Sequence, residues 1–289
     1  MVTDFPLPVF LVVLLAALFH AAWNALIRGG EDPLLHTAAF VFWAAVVAAP
    51  FLLVVTPPAV RSWPYLALSN TIHMAYYVSL AAAYRRGTLS FAYPLIRGSA
   101  PLLVALGSII VIGEAPSWLG WFGILLVSAG VLGIALRAEH PNPLPTLGWA
   151  LLCAFTIAVY TLADGLGVRQ AHSAAGYSVW MYLLEGVLFL GGITLFGRGK
   201  ELVSYVHKHW RTGLLGGTLS AAAYAIALWA MTQAPVALVA ATRETSVLFA
   251  SLLGVWALRE RFSLRQWAGA VAIAGGALLL RSGAVVAVH

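Results

Sequence analysis

Long apolar runs separated by short polar links make up the whole chain. Ten of these runs are long enough to reach across a hydrocarbon core. They are Val9 to Ile27, Leu35 to Val54, Tyr65 to Tyr84, Phe91 to Ile112 and Leu119 to Leu136 in the first half. The second half holds Leu147 to Leu166, Gly176 to Leu195, Leu214 to Met231, Val236 to Leu258 and Leu264 to Leu280. Backbone groups in lipid must find partners inside the protein, which leaves helices or closed barrels. These runs lack the alternation of a barrel strand, so they predict ten transmembrane helices and an all-α integral membrane fold. The links carry the breakers: Arg28-Gly29-Gly30, Pro57-Pro58, Arg85-Arg86-Gly87 and Pro141-Asn142-Pro143. The widest polar link, Gly197 to Arg211, has no room for a soluble domain.

The two halves repeat one another at an offset of 146 residues. Arg97 meets Arg243, Ala81 meets Ala227, Glu114 meets Glu260 and Ser117 meets Ser263. Trp121 meets Trp267, Gly123 meets Gly269 and Gly130 meets Gly276, all without a gap. Residues 1–140 form the first unit, helices one to five, and residues 141–289 the second, helices six to ten. Five helices per unit is an odd number, so the second unit enters the membrane upside down. Two such units make an inverted-topology repeat, an architecture of secondary transporters.

Composition agrees with lipid as the solvent. The chain is 62% hydrophobic and 9% charged, with mean hydropathy +0.91. A soluble domain carries about a quarter charged residues. The single cysteine, Cys153, excludes an internal disulfide framework and a cysteine cluster for zinc. The formal net charge of +6 is spread through short links with no aromatic-basic run, so it reads as topology and excludes nucleic acid as a partner. Val9 to Leu18 has the length of a signal core. Asp4 stands where a cationic flank belongs, so this stretch is read as a retained first helix.

The segment Tyr84 to Gly98, followed by Gly113-Glu114 and Trp121-Phe122-Gly123, resembles an EamA repeat. So does Ala241-Thr242-Arg243-Glu244-Thr245-Ser246, followed by Arg259-Glu260-Arg261-Phe262 and Trp267-Ala268-Gly269. The likeness covers essentially the whole chain and places it with the drug/metabolite transporter superfamily. That resemblance implies ten helices, a central cavity lined by the first four helices of each half, and the fifth and tenth packed outside. Members move amino acids, other metabolites, sugars, nucleotide-sugars or drugs. The superfamily's four-helix cation exporters carry a carboxylate in the first helix, where this chain has His20, Trp23 and Asn24.

Charge at bilayer depth is costly, so Arg97 and Arg243 mark a site. A guanidinium captures a carboxylate or phosphate through a fork of donors. The bland reading is an arginine that holds helix ends together. Two symmetry-related copies favour substrate contact. Glu244, next to Arg243, opens a further alternative: it faces Arg97 and makes a structural pair between the halves. Glu185, in mid-helix with no cation nearby in sequence, is the candidate proton carrier. Its bland reading is a neutral acid bonded to a hydroxyl such as Tyr182, and both readings stand.

Other polar groups fall on shared helix faces. His20 and Asn24 pair on the first helix, and Asn70, His73 and Tyr77 line the third. Thr156, Tyr160 and Asp164 line the sixth. Tyr93 stands one turn before Arg97, and Ser220 one turn before Tyr224. Together they are expected to line one polar cavity, although each alone reads as an interhelical hydrogen bond. From this set the substrate-binding candidates are Arg97, Arg243, Tyr93, His73, Tyr77, Asn24, His20, Tyr160, Tyr224 and Glu244. His20 and His73 lack a third ligand at plausible spacing, so a metal site is rejected, and no cofactor is expected. Glu114 and Glu260 are expected to cap the helices that follow them and are left out of the site. Pro94 and Pro101 flank Arg97, whereas the second half has only Pro235 at its helix start, so any hinge should be asymmetric.

The leading function is secondary transport of a small anionic or zwitterionic metabolite, an amino-acid-like or phospho- or carboxylate compound, across the cytoplasmic (inner) membrane. A broad exporter of aromatic or cationic compounds is the alternative, since eleven Trp and ten Tyr can stack on ligands. Several of these, such as Trp63, Trp149 and Trp210, sit at helix ends as interfacial anchors. No nucleophile-base arrangement or phosphate-binding glycine loop supports an enzyme. The expected partners are the substrate and the lipid bilayer; a proton as coupling ion and a second copy of the chain stay open.

Orientation carries a conflict. With the N-terminus cytoplasmic, inside links hold Arg61, Arg169 and Arg281, three cations against eleven outside. The charge rule therefore puts both termini outside, whereas ten-helix relatives have them inside. In a Cys153→Ser background, a cysteine placed in the 197–211 link is expected to react with an impermeant thiol reagent only from the cytoplasmic side. Labelling from outside intact cells would restore the relatives' orientation.

Overall fold

A computed structural model describes residues 2–3, 5–27, 32–87, 89–135, 143–258, 264–283 and 285–287. The described chain is nearly all helix. The helices are α1 (Leu7–Ile27), α2 (Pro33–Ala48), α3 (Trp63–Arg86), α4 (Leu89–Gly107), α5 (Trp118–Ala135) and α6 (Pro143–Gln170). They continue with α7 (Ala174–Ile193), α8 (Gly199–Lys208), α9 (Trp210–Gln233), α10 (Val236–Arg243), α11 (Ser246–Leu258) and α12 (Leu264–Ser282). Among the described residues, six stretches are long and apolar enough to cross a membrane: Leu7–Leu26, Leu34–Leu53, Phe91–Ile112, Leu144–Gln170, Ala174–Lys208 and Trp210–Gln233. The helix α3 is not among them. It is 24 residues long, but Ser69, Asn70, His73 and Ser79 are buried within it and lower its hydropathy.

Helix boundaries follow local chemistry. Asp32 caps α2 by accepting from the backbone N–H of Leu34 and Leu35. Burial pushes the Asp32 carboxyl up, but the Arg198 guanidinium and the two amides outweigh it and hold the group below the ordinary carboxylate range. The cap is therefore intact at neutral pH and weakens only when the pH falls below that range. Ser173 caps α7 in the same way, accepting from Gly176 N–H. After α4 a π-helical turn, Ser108–Ile112, ends at Gly113, whose φ of 76° needs glycine.

Two features differ from the sequence expectation. The link from Gly197 to Arg211, read from sequence only as a polar link, holds an element of its own: a kink at Gly197 (φ 83°) leads into the short helix α8. Leu202 and Tyr205 are buried on its inner face, and Tyr205 hydroxyl meets His36 Nδ1 at 2.9 Å. The second difference is the predicted helix from Val236 to Leu258, which is broken into α10 and α11 at Glu244–Thr245. The backbone N–H groups of Glu244, Thr245 and Val247 each reach back three residues rather than four, and Thr245 hydroxyl donates to Thr242 carbonyl. The predicted asymmetry of the two fourth-type helices is present but reversed. Pro94 and Pro101 sit inside a continuous α4, whereas the break falls in the helix with no internal proline.

Packing exchanges the two halves. The helix α3 lies against α6 and α1 lies against α9; α4 lies against α6 while α10 and α11 lie against α1. The helices α5 and α12 pack extensively on each other. There the glycine positions of the repeat meet. A Cβ on Gly123 would lie 3.0 Å from Gly276 O, one on Gly276 2.9 Å from Gly123 O, and one on Gly130 2.8 Å from Gly269 O. The contacts run in opposite order along the two helices, so α5 and α12 are antiparallel. Close approach of this kind is how helices gain dispersion contact in a medium as apolar as their side chains. Beside this pair, Glu114–Pro116, Val285–Ala287 and Val2–Thr3 form a small antiparallel sheet that joins the link before α5 to both ends of the chain.

Gly130→Val places three carbons against the Gly269 backbone and is expected to cost about 1–3 kcal/mol, lowering the thermal midpoint in detergent. Gly133→Ala, which meets nothing within 4 Å, is expected to leave that midpoint unchanged. Equal midpoints for both variants would reject the close helix contact.

Candidate functional site

A cavity of about 400 Å³ lies between the halves. It is lined from the later parts of α1 and α3, the early parts of α2 and α4, the middle of α6, α7 and α9, and Arg243 at the end of α10. Each element contributes through its own periodicity. On α3, His73, Tyr77, Leu80 and Tyr84 are three or four residues apart and so share a face. On α4, Tyr93 and Arg97 do the same, and on α9 Ser220 and Tyr224.

The two arginines are in different situations. Arg97 is 8% exposed, and its Nε lies 2.8 Å from Glu244 Oε2, with Glu244 4% exposed. The ion contact is off the N–H axis: Nε, Nη2 and Oε2 have no aligned hydrogen bond among the described residues. The pairing follows from the break after Arg243. Neighbouring helical positions point about 100° apart, so Glu244 is turned towards α4 rather than towards its neighbour. Arg243, by contrast, is within ion-pair distance of no carboxylate among the described residues. Its guanidinium carbon stands 4.9 Å over the Tyr224 ring and lines the cavity.

Tyr224 is itself fixed from behind. Its hydroxyl donates to Asp164 Oδ2 at 2.6 Å, and Tyr177 hydroxyl donates to Asp164 Oδ1 at 2.9 Å. Asp164 is fully buried and does not line the cavity. The aromatic wall continues from Tyr224 to Tyr160 and His73, the last two stacked at 4.0 Å. His73 Nδ1 is held at 2.9 Å from Ser69 carbonyl, which sets the ring orientation. Across the cavity, Tyr77 hydroxyl donates to Glu185 Oε1, and the Tyr77 ring stacks on Phe189 at 4.3 Å.

The residues expected from sequence fall as follows. His20, Asn24, His73, Tyr77, Tyr93, Arg97, Tyr160, Glu185, Tyr224 and Arg243 all line the cavity. Glu244 does not; it reaches the site only through Arg97. The hydroxyl on Glu185 belongs to Tyr77, not to Tyr182, whose own hydroxyl donates to Ala221 carbonyl. Tyr182 still lines the cavity. Asn70 and Thr156 are spent on their own helices, donating to Leu66 and Cys153 carbonyls. Asn24 likewise donates to His20 carbonyl, while His20 Nδ1 accepts from Trp23.

Glu114 differs from expectation. The cap of the following helix is Ser117, which accepts from Gly120 N–H. Glu114 instead pairs with Arg169 and accepts from Val236 N–H at the start of α10. The expectation for Glu260 lies outside the described residues. Sequence reasoning passed over Tyr76, Tyr84, Trp23 and Phe189 as lining groups. The signal for Tyr84 was available, because it extends the His73–Tyr77 face by two turns. Nothing in spacing marked Phe189, since it is one apolar residue among many on α7.

A charge left alone at this depth is expensive, so removing one member of the Arg97–Glu244 pair should cost more than removing both. Glu244→Gln is expected to lower stability by about 3 kcal/mol. The double variant Arg97→Met/Glu244→Leu should recover most of the loss in thermal midpoint. A double variant that loses the sum of the two single losses would show that the pair does not couple.

Comparison with known proteins bears on the whole chain. The sequence model of the EamA-like transporter family matches residues 7–136 and 144–282. Among curated proteins, none matches the chain. One solved structure, described only as the crystal structure of a protein, superposes with a TM-score of 0.74 at 21% identity, over 94% of this chain and 96% of that one. At that identity it supports the fold alone. With two consecutive family matches covering nearly all of the chain, and apolar helices around an interior cavity, this membrane protein belongs to the EamA-like transporter family, of the drug/metabolite transporter type.

Proposed function

We propose that the protein is a secondary transporter of a small anionic or zwitterionic metabolite, acting across the cytoplasmic (inner) membrane by alternating access. The observation that carries the substrate class is Arg243: a buried guanidinium at the cavity wall, backed by an aromatic ring and paired with no carboxylate among the described residues. A cation at such depth is stabilised when an anionic group binds, and the fork of donors selects carboxylate or phosphate. Glu185, held by Tyr77 on the cavity wall, supplies an opposite pole for an ammonium group or a proton. Aromatic walls from His73, Tyr160 and Tyr224 suit a planar or apolar remainder. That lining is also what favours the second reading, a broad exporter of aromatic or cationic compounds.

The architecture behind this reading is ten membrane helices in two inverted five-helix units, with α10 and α11 together as the ninth. Three observations support it. The helix pairs exchange between halves, equivalent helices α5 and α12 pack antiparallel, and the repeat's glycines meet crosswise, Gly123 against Gly276 and Gly130 against Gly269. Rocking of one unit against the other would expose the cavity to each side in turn.

Uptake into proteoliposomes, screened across amino acids, organic acids, phosphorylated compounds and cations, tests the reading. Arg243→Gln is expected to weaken binding of an anion-bearing substrate at least about tenfold, equivalent to about 1.4 kcal/mol. Arg97→Gln, already spent on Glu244, is expected to weaken it less. In the same vesicles Glu185→Gln should abolish accumulation driven by a pH gradient while counterflow continues. Binding limited to cations and unchanged by Arg243→Gln would favour the second reading, and driven uptake at the wild-type level would remove Glu185 from coupling.

A further inference from the structure

Among the described residues, the lining of the cavity reaches one end of the bundle only, and a separate pocket at the opposite end, around Glu114 and Arg169, shares no residue with it. Its lining includes Asn24 near the end of α1, Leu34 at the start of α2, Tyr84 near the end of α3 and Tyr93 near the start of α4. These belong to the end where α1 meets α2 and α3 meets α4. At the opposite end α4 passes to α5, α6 to α7 and α9 to α10, and no residue of those links lines the cavity. There Glu114 and Arg169 join four elements. Arg169 donates from Nη1 to Glu114 Oε1 at 2.7 Å, from Nε to Met231 carbonyl at 2.7 Å, and from Nη2 to Ala234 carbonyl at 3.1 Å. The other oxygen of Glu114 accepts from Val236 N–H at 3.2 Å. Arg169, Met231, Ala234 and Val236 belong to the second half, and Glu114 to the first.

We propose that Glu114 and Arg169 form a latch that holds the bundle shut at the end away from the cavity mouth, and that it must open for the cavity to face the other side. The proposal rests on the transport reading, and it follows from how the bonds are distributed. Arg169 is anchored to its own half by two carbonyls at the end of α9, and one of its three hydrogen bonds crosses to the first half. Glu114 crosses back with both oxygens, one to that donor and one to the exposed amide at the start of α10. Every bond between the halves at this cluster therefore runs through a single carboxylate. The side chains of Arg169 and Glu114 are 27% and 17% exposed, so water can replace these bonds when the halves part. A buried pair such as Arg97–Glu244, at 10% and 6%, has no such substitute. A second and weaker bond crosses at the same end, from Gln170 Nε2 to Tyr65 hydroxyl at 3.1 Å.

The test reads the conformation of the full-length protein and needs no substrate. In a Cys153→Ser background, spin labels are attached at Trp118→Cys on α5 and Trp229→Cys on α9, and the distance distribution across the latch is measured by pulsed electron resonance in lipid nanodiscs. Glu114→Gln is expected to raise the ratio of long to short separations roughly tenfold, the scale of one charged hydrogen bond. Arg169→Gln should do the same. Glu114→Asp keeps the charge but is too short to hold both partners; it serves where a neutral variant does not purify, with the same shift expected. A distribution identical to that of the parent protein in these variants overturns the latch. That result would leave Arg243 binding untouched, just as failure of anion binding at Arg243 would leave the distances standing.

Discussion

A positive charge held inside a membrane bundle must be matched by something, and the protein meets that constraint twice in different ways. Arg97 is matched by Glu244, a partner supplied by the other half of the chain. Arg243 is matched by the face of an aromatic ring and by the opening of the cavity. A ring quadrupole compensates much less than a carboxylate does. The residual demand at Arg243 is what the proposed preference for an anionic group rests on, and the Arg97–Glu244 contact joins the two halves.

The sequence repeat does not produce a symmetric site. Arg97 and Arg243 are equivalent positions, yet one lies within an unbroken helix and the other at a helix end. The continuous helix is the one with two internal prolines. Neighbouring helices and a π-helical turn can absorb the missing donors of proline. On the other side, Thr242 and Thr245 bond to backbone carbonyls and tighten the turn, so that Glu244 is turned out to reach α4. Breaking the second helix is therefore what allows the first arginine to be paired.

The cavity and the Glu114–Arg169 cluster occupy opposite ends of the same bundle. Between them lie residues with little exposure, among them Leu228, Met231 and Leu238. Small residues permit this density: a Cβ on Gly165 would stand 2.7 Å from Val236, and one on Gly107 2.4 Å from Leu162. Closely packed interiors deform in discrete steps rather than continuously. In the proposed transport cycle, a bundle whose cavity reaches one end while its halves are bonded together at the other is one of two such arrangements.

Much of the fold was legible in the chain because lipid enforces simple rules. Apolar run length located most of the helices to within a few residues, and the repeat at an offset of 146 agrees with the two consecutive family matches. Periodicity placed His73 with Tyr77, and Tyr93 with Arg97, on faces that do meet the cavity. These are properties of a residue and its near neighbours in sequence, so sequence contains them. Partner choice across the bundle is different. That Glu244 pairs with Arg97, which the sequence raised only as one alternative, and that Tyr77 pairs with Glu185, Tyr224 with Asp164 and Glu114 with Arg169, depends on helix rotation and depth, which are set by the packing of all the helices together. The short helix in the 197–211 link and the break at Glu244 belong to the same class. The tertiary structure decided them because each is stabilised by side chains far away in the chain, such as His36 against Tyr205 and Arg97 against Glu244.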